Sequence, residues 1–177
     1  MTSPRIATVD EARLLLEEIG APPRLVAHGL LVAEAAEALL VKMRELGIDV
    51  DASLVRAGAV LHDAGKTVHP SELGAPGAMH EEEGQRLLLA RGVDPALARC
   101  CVSHARWNVL PCSLEELLVA LADKLWKGVR VEELETKAIA AVVERSGGDR
   151  WSLFVDLDTC FEAIANEGPA RLARSVP

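Results

Sequence analysis

Several histidine and aspartate residues of this 177-residue chain could bind a metal ion. His62 and Asp63 are adjacent at the end of a strongly apolar segment, where ionisable side chains are costly unless they are paired or metal-bound. His28 lies on the inward face of an earlier segment whose apolar residues recur with helical spacing. Imidazole and carboxylate groups bind first-row transition metals in sets of about three to six. A lone core-facing histidine is more often only hydrogen-bonded, so the metal prediction needs further ligands.

The elements that must position these side chains are predicted to be α-helices, which makes the expected fold class all-α. Capping residues and glycines occur at the ends of segments whose apolar residues are spaced by about 3.6 positions, and strand signals are almost absent. A loop rich in glycine and proline follows Asp63. The predicted helices run from Thr8 to Gly20, from Pro22 to about Gly47, from Asp51 or Ser53 to Asp63, and over 79–90, 95–106, 114–127, 131–146 and 151–166. The tail after Gly168 is expected to be loosely held.

Composition restricts the classes of partner. Hydrophobic residues make up 50% of the chain, which is enough for one sizeable core. The net charge of −8 would repel a nucleic-acid polymer or an anionic membrane. A small phosphorylated substrate is still compatible, because a bound dication inverts the local field. Signal-peptide and membrane-span patterns are absent, and four cysteines without a CxxC pair are typical of reduced thiols, so we expect a cytoplasmic protein.

Three separated segments of the chain together resemble a known signature. They are His28, the run His62-Asp63-Ala-Gly-Lys66, and Asp123 within Ala-Leu-Ala-Asp-Lys. This pattern resembles the H…HD…D signature of the HD-domain metal-dependent phosphohydrolases over about residues 22–130. The resemblance implies an HD-domain bundle of about seven or eight helices, with the metal held between them. The whole chain, 1–177, would be a single HD-type domain in which 131–168 form additional C-terminal helices.

Two further histidines, His80 and His104, extend the resemblance to the two-metal branch of the family. At the metal site the chain is similar to the symmetrical diadenosine-tetraphosphate hydrolases and to the HD-GYP phosphodiesterases, although the GYP sequence itself is absent. One or two divalent ions are implied, either iron, manganese or another first-row transition metal. We expect Asp63 to bridge two such ions. The implied metal ligands are His28, His62, Asp63, His80, His104 and Asp123.

Basic residues near these positions are candidates for binding a phosphate. Lys66 follows Asp63 by three residues and is the best candidate for holding a phosphate oxygen or stabilising the developing charge. Asp63 and Lys66 are therefore the predicted catalytic residues. Arg106, Lys124 and Arg130 are weaker candidates for substrate binding. His69 is expected to be a surface residue. Tryptophans are more often core residues than nucleobase platforms, which is the expectation for Trp126 and Trp151, whereas Trp107 is the exception because it closely follows His104.

Helical periodicity conflicts with one of the implied ligands. Five leucines of the segment 114–127 form a face roughly opposite Asp123, and periodicity alone would therefore place Asp123 in solvent. Its place in the site rests on the resemblance. The adjacent acidic residues Glu81, Glu82 and Glu83 are expected to stabilise the first turn of a helix through its dipole rather than to bind metal.

The preferred function is metal-dependent hydrolysis of a phosphomonoester or phosphoanhydride, of which a nucleotide is one candidate, by metal-activated hydroxide. One alternative is a di-iron oxygenase of the same fold that acts on a phosphonate or polyol, and Lys66 makes it the less favoured. Another is a non-catalytic nucleotide-sensing domain, which the completeness of the ligand set disfavours. The sequence leaves homodimerisation open.

Overall fold

The computed structural model describes residues 6–175, and regular structure within this range is entirely helical. The fold is all-α, as predicted. No helix in the described range is long and apolar enough to cross a bilayer. The α-helices are α1 (Val9–Glu18), α2 (Pro23–Glu45), α3 (Ala52–Leu61), α4 (Met79–Ala90), α5 (Pro95–Arg106), α6 (Leu114–Leu125), α7 (Glu132–Ser146), α8 (Arg150–Asn166) and α9 (Gly168–Ser175). Two short 3₁₀ helices, Ala64–Thr67 and Pro70–Leu73, connect α3 to α4.

The starts of several helices are determined locally, as the sequence predicts. Thr8 and Ser113 each form a capping box, in which the hydroxyl accepts from a backbone N–H three residues later and a glutamate accepts in return. Asp51 caps α3, and Asp94 caps α5 just before a proline at the first helical position. Each cap satisfies backbone donors that a helix leaves unpaired at its first turn. These signals need no tertiary contact to act.

Helix α6 lies at the centre of the bundle, where it contacts α2, α3, α5 and α7. Every residue of α6 from Leu114 to Asp123 is buried. The spacing of apolar residues identifies the buried face of a helix only when another face of that helix is exposed to solvent. The solvent-facing orientation that periodicity alone gives for Asp123 is therefore wrong, because this side of α6 is covered as well.

The segment from Gly168 to Ser175 is not loosely held, contrary to the sequence prediction for the part of the tail that the structure describes. It forms α9, which packs against α2 and α8. The side chain of Arg171 is only 2% exposed; it donates to the Ile164 carbonyl at 2.8 Å and to Glu167 at 3.0 Å. Arg171 and Arg174 both donate to the Glu34 carboxylate on α2. A buried arginine with this many acceptors fixes the helix in place.

The turn between α3 and α4 brings two backbone segments unusually close together. A β-carbon added at Gly65 would lie 1.9 Å from the His80 carbonyl oxygen and 2.6 Å from the Gly84 amide nitrogen. Only a residue without a side chain fits at this position. The absence of a side chain at Gly65 therefore allows the start of α4 to lie directly against the turn that carries Asp63.

Candidate metal centre

All six side chains that the sequence predicts as metal ligands converge in the structure. They come from five places in the fold: His28 from α2, His62 and Asp63 from the end of α3, His80 from the start of α4, His104 from α5 and Asp123 from α6. His28 is half-buried and the other five are buried. Their side-chain atoms form overlapping groups of three in which every potential ligand atom lies within 4.8 Å of the others.

Asp63 lies between two pairs of histidines. Its Oδ2 atom is 3.2 Å from Nε2 of His28 and 3.6 Å from Nε2 of His62. Its Oδ1 atom is 3.2 Å from Nε2 of His80 and 3.5 Å from Nε2 of His104. The two oxygens of one carboxylate therefore face different imidazole pairs.

Asp123 supplies the second carboxylate of the cluster. Its Oδ1 atom lies 3.3 Å from Nε2 of His62 and 3.7 Å from Nε2 of His28. Both of these histidines also face Oδ2 of Asp63. This half of the cluster thus combines two imidazoles with two carboxylates, whereas the other half contains His80, His104 and the second oxygen of Asp63.

Three of the histidines are oriented by hydrogen bonds at the ring nitrogen that faces away from the cluster. Nδ1 of His62 donates to the Ala59 carbonyl at 2.8 Å, and Nδ1 of His104 donates to the Cys100 carbonyl at 3.0 Å. Nδ1 of His80 is 2.5 Å from a carboxylate oxygen of Glu72. A neutral imidazole that donates at Nδ1 has its lone pair at Nε2. These contacts therefore direct Nε2 lone pairs into the cluster, as metal-binding histidines require.

The charges of the cluster suit a bound cation. Burial opposes ionisation of Asp63 and Asp123, but the surrounding histidines outweigh it and hold the pKa of each carboxyl well below its usual range. Burial, with a contribution from His62, lowers the pKa of His104 to about 4, so this ring is neutral at pH 7. Burial opposes protonation of His62 and His80 as well, but the adjacent carboxylates outweigh it and raise the pKa of both rings, so metal binding competes with their protonation. Nε2 of His28 and Nε2 of His62 face each other at 3.3 Å. Two lone pairs repel at this distance, and a cation or a proton between them would remove the repulsion. Ionised carboxylates and neutral imidazoles are the states in which these groups bind metal, and the donor set fits a divalent ion.

Comparison with known proteins identifies the family. The family model for the HD domain matches residues 25–126, more than half of the chain. The chain belongs to the HD domain family. Its match includes all six residues of the cluster and both 3₁₀ helices of the intervening turn.

The relatives of this HD domain differ in size and description. An uncharacterized protein of Methanocaldococcus jannaschii is 32% identical over 127 residues, which are 63% of this chain and 71% of that protein. A tRNA (cytidine(56)-2′-O)-methyltransferase of Thermoplasma volcanium is 30% identical over 129 residues, 64% of this chain. The match spans only 35% of that methyltransferase.

A solved structure supports the fold. The HD domain of the L. monocytogenes phosphodiesterase PgpH has a TM-score of 0.56 to this chain, and the two are 16% identical. The alignment covers 86% of this chain and 97% of that one. The same domain in complex with cyclic-di-AMP gives a TM-score of 0.56 at 17% identity. At this identity the likeness establishes the helical arrangement and nothing further.

The predicted substrate-binding cations lie in different surroundings in this HD domain. Nζ of Lys66 is 2.7 Å from Oδ2 of Asp63, and Nζ of Lys124 is 3.2 Å from Oδ2 of Asp123, so both lysines adjoin the cluster. Arg106 instead donates to Glu81 and Glu82. Arg130 donates to the carboxylates of Glu135 and Asp158. Carboxylates already bind the guanidinium groups of Arg106 and Arg130. Of the four predicted substrate-binding residues, only Lys66 and Lys124 therefore adjoin the cluster.

Several acidic, histidine and tryptophan residues that the sequence singles out lie outside the predicted ligand set. None of the acidic residues 81–83 belongs to the ligand groups, and Glu81 and Glu82 pair with Arg106 instead. His69 is half-exposed and also lies outside these groups. Trp126 is buried with its ring 5.1 Å from the His28 ring, whereas Trp151 is 74% exposed and stacks on Phe154. The core prediction is therefore correct for Trp126 and wrong for Trp151.

Glu72 is a component of the site that the sequence does not reveal. It lies on the second 3₁₀ helix, and its side chain accepts from the backbone N–H groups of Met79 and His80 as well as from the His80 ring. One carboxylate thus caps α4 and orients a predicted ligand. Its only sequence signal is its place in a loop of glycine and proline, where an exposed glutamate is the ordinary expectation.

Replacing Glu72 by alanine should weaken metal binding by about 10- to 100-fold, because outer partners of metal-binding histidines have effects of this size. Titration of metal-free protein with Mn²⁺ measures the affinity. Glu72→Gln, which keeps an acceptor for the α4 amides, should lie between alanine and wild type. Glu83→Ala removes a glutamate of α4 that pairs with Arg86, outside the predicted ligand groups, and should leave the affinity unchanged. Wild-type Mn²⁺ affinity in Glu72→Ala would contradict the orienting role.

Proposed function

We propose that this HD domain is a metal-dependent phosphohydrolase that cleaves a phosphomonoester or phosphoanhydride at a two-metal centre. The observation that carries the proposal is the position of Asp63, whose two carboxylate oxygens face separate histidine pairs. A carboxylate with this geometry can bridge two ions. His28, His62 and Asp123 would complete one site, and His80 with His104 would complete the other.

Two divalent ions, when bound, would lower the pKa of a water molecule and neutralise charge on the phosphate during in-line attack. The chain contributes the rest of the arrangement. Asp63 fixes the spacing between the two halves, and the carbonyls of Ala59 and Cys100 hold the rings of His62 and His104 in place. Lys66 is one-fifth exposed and close to Asp63, so its ammonium group can reach a phosphate oxygen at the mouth of the site.

The competing functions have less support. A sensing domain without catalysis would not need all six ligands, yet every one is present and aimed at the others. A di-iron oxygenase would use a similar donor set, but a lysine beside the central carboxylate suits a substrate whose negative charge grows in the transition state. The PgpH domain, named as a phosphodiesterase and solved with cyclic-di-AMP, offers a precedent on this fold for a small phosphorylated ligand.

Removal of metal should abolish hydrolysis, and restoration should recover it. Protein purified without oxygen, treated with a chelator and then supplied with Mn²⁺ or Fe²⁺ is assayed for phosphate release from phosphorylated metabolites and nucleotides. Activity should rise with metal content up to two ions per chain, because each half of the cluster binds one.

His69→Ala is the matched control, since this histidine lies outside the ligand groups. Full activity in chelator-treated protein would refute the proposal. Saturation of activity at one ion per chain would restrict the site to a single metal. Oxygen consumption with a phosphonate, without phosphate release from esters, would instead assign the chain to the oxygenases.

A further inference from the structure

A cleft of about 530 Å³ opens beside the metal cluster. His28, Asp63 and Lys66 are among its lining residues, so a molecule bound in the cleft can reach the predicted catalytic groups. A volume of this size is typical of pockets for small organic molecules. The cleft is therefore the natural place for the part of the substrate that does not react.

Much of the cleft wall is apolar. Leu25, Leu73, Trp126 and Leu172 line it. Leu25 is 1% exposed, and Trp126 packs the edge of its ring against His28 at a centroid distance of 5.1 Å. Apolar walls gain little from inorganic phosphate, which is strongly hydrated, but they stabilise the carbon body of an organic phosphate.

Arg24 places an uncommitted positive charge on the same cleft. It precedes His28 by four residues on α2, so the two side chains share one face of the helix, about 6 Å apart along its axis. Most arginines in the described range pair with a carboxylate within 4 Å, but in residues 6–175 Arg24 and Arg150 have no such partner. Of these two, only Arg24 lines the cleft. Such an arginine is available to bind an anion of the ligand.

We propose that this cleft selects organic phosphates that carry a second anionic group, and that Arg24 binds this second group while the reacting phosphate lies at the metal cluster. The inference rests on the proposed function for the identity of the reacting group. A compact carbon body would span the leucine and tryptophan wall. The second group, a phosphate or carboxylate, would lie about one helical turn from the reacting phosphate.

Direct binding of a matched pair of ligands tests the inference without requiring turnover. The probes are 4-phosphonobutyrate and butylphosphonate, which share a four-carbon chain and an uncleavable carbon–phosphorus bond and differ by one carboxylate. Titration calorimetry on the full-length, Mn²⁺-loaded protein under nitrogen gives both affinities. Wild type should prefer the probe that carries the carboxylate by about tenfold, or about 1.4 kcal/mol, which is close to the lower end of the range for hydrogen bonds to charged groups.

Variants assign the preference to one side chain. Arg24→Gln should remove the tenfold preference and leave the affinity for butylphosphonate unchanged, whereas Arg24→Lys should keep part of it. Arg150→Gln, which alters the other arginine without a carboxylate partner, should behave as wild type. No preference in wild type, weak binding of both probes, or a preference that survives in Arg24→Gln would each overturn the inference.

The two proposals can fail separately. An Arg24-dependent preference in a protein that hydrolyses no phosphate ester would support the anion subsite and refute the hydrolase. Metal-dependent hydrolysis with equal affinity for the two probes would support the hydrolase and refute the anion subsite.

Discussion

Under the proposed two-metal function, replacing Asp63 by alanine should eliminate metal-dependent hydrolysis and reduce the bound metal from two ions per chain to one or none. Within residues 6–175, Asp63 is the only carboxylate whose atoms approach all four cluster histidines. The substitution also leaves Nζ of Lys66 without its 2.7 Å partner beside the remaining imidazoles. Elemental analysis of the purified variant and a phosphate-release assay measure the two effects.

Asp63→Asn tests whether the negative charge of the Asp63 side chain is needed, because asparagine has nearly the same shape without the charge. An amide keeps one oxygen but cannot offer two anionic oxygens, so we expect turnover near background with part of the metal retained. His69→Ala, in the same turn but outside the cluster, should retain both metal and activity. Near-normal turnover in Asp63→Ala would be incompatible with a bridging carboxylate.

Replacing Gly65 by alanine should destabilise the fold by about 3 kcal/mol and disturb the half of the cluster that contains His80. The added methyl group would meet the His80 carbonyl oxygen and the Gly84 nitrogen, which are backbone atoms that cannot rotate away. Helix α4 must therefore shift, and Nε2 of His80 moves with it from its 3.2 Å contact with Asp63. Urea unfolding measures the free energy, and Mn²⁺ titration measures the site.

Gly74→Ala is the matched control for this substitution. Gly74 lies in the same connection at a φ of −124°, and nothing lies within 4 Å of a β-carbon added there. Its unfolding free energy and metal content should match wild type. Equal stability of the two alanine variants would show that the contact between the turn and α4 is not tight.

The helix starts can be predicted from local sequence, whereas the complete ligand set can be predicted only through the family resemblance. Helix starts such as Thr8 and Ser113 depend on hydrogen bonds within four residues, and the sequence contains all of that information. Asp123 was predicted only through the family resemblance, since helical periodicity does not register that α6 has neighbours on every side. The sequence does not predict helix α9, because its stability depends on a contact between Arg171 and Glu34, which are 137 positions apart.

The roles of Glu72 and Arg24 cannot be predicted from the sequence, because they depend on the three-dimensional fold. A glutamate in a loop and an arginine at the start of a helix are ordinary surface residues in any sequence. Glu72 becomes relevant only because the turn folds back onto the start of α4. Arg24 becomes relevant only because α9 returns across the bundle to complete the cleft on which it lies.

The attachment of α9 to α2 has a consequence for how this protein can diversify. The cluster and most of the cleft lie within the segment 25–126, whereas Arg24, Leu172 and Ser175 border the cleft from outside that segment. Glu34 holds α9 through Arg171 and Arg174, and none of these three belongs to the ligand groups. Mutations at Arg24 and in α9 can therefore change which molecules enter the cleft without altering the residues of the predicted metal cluster.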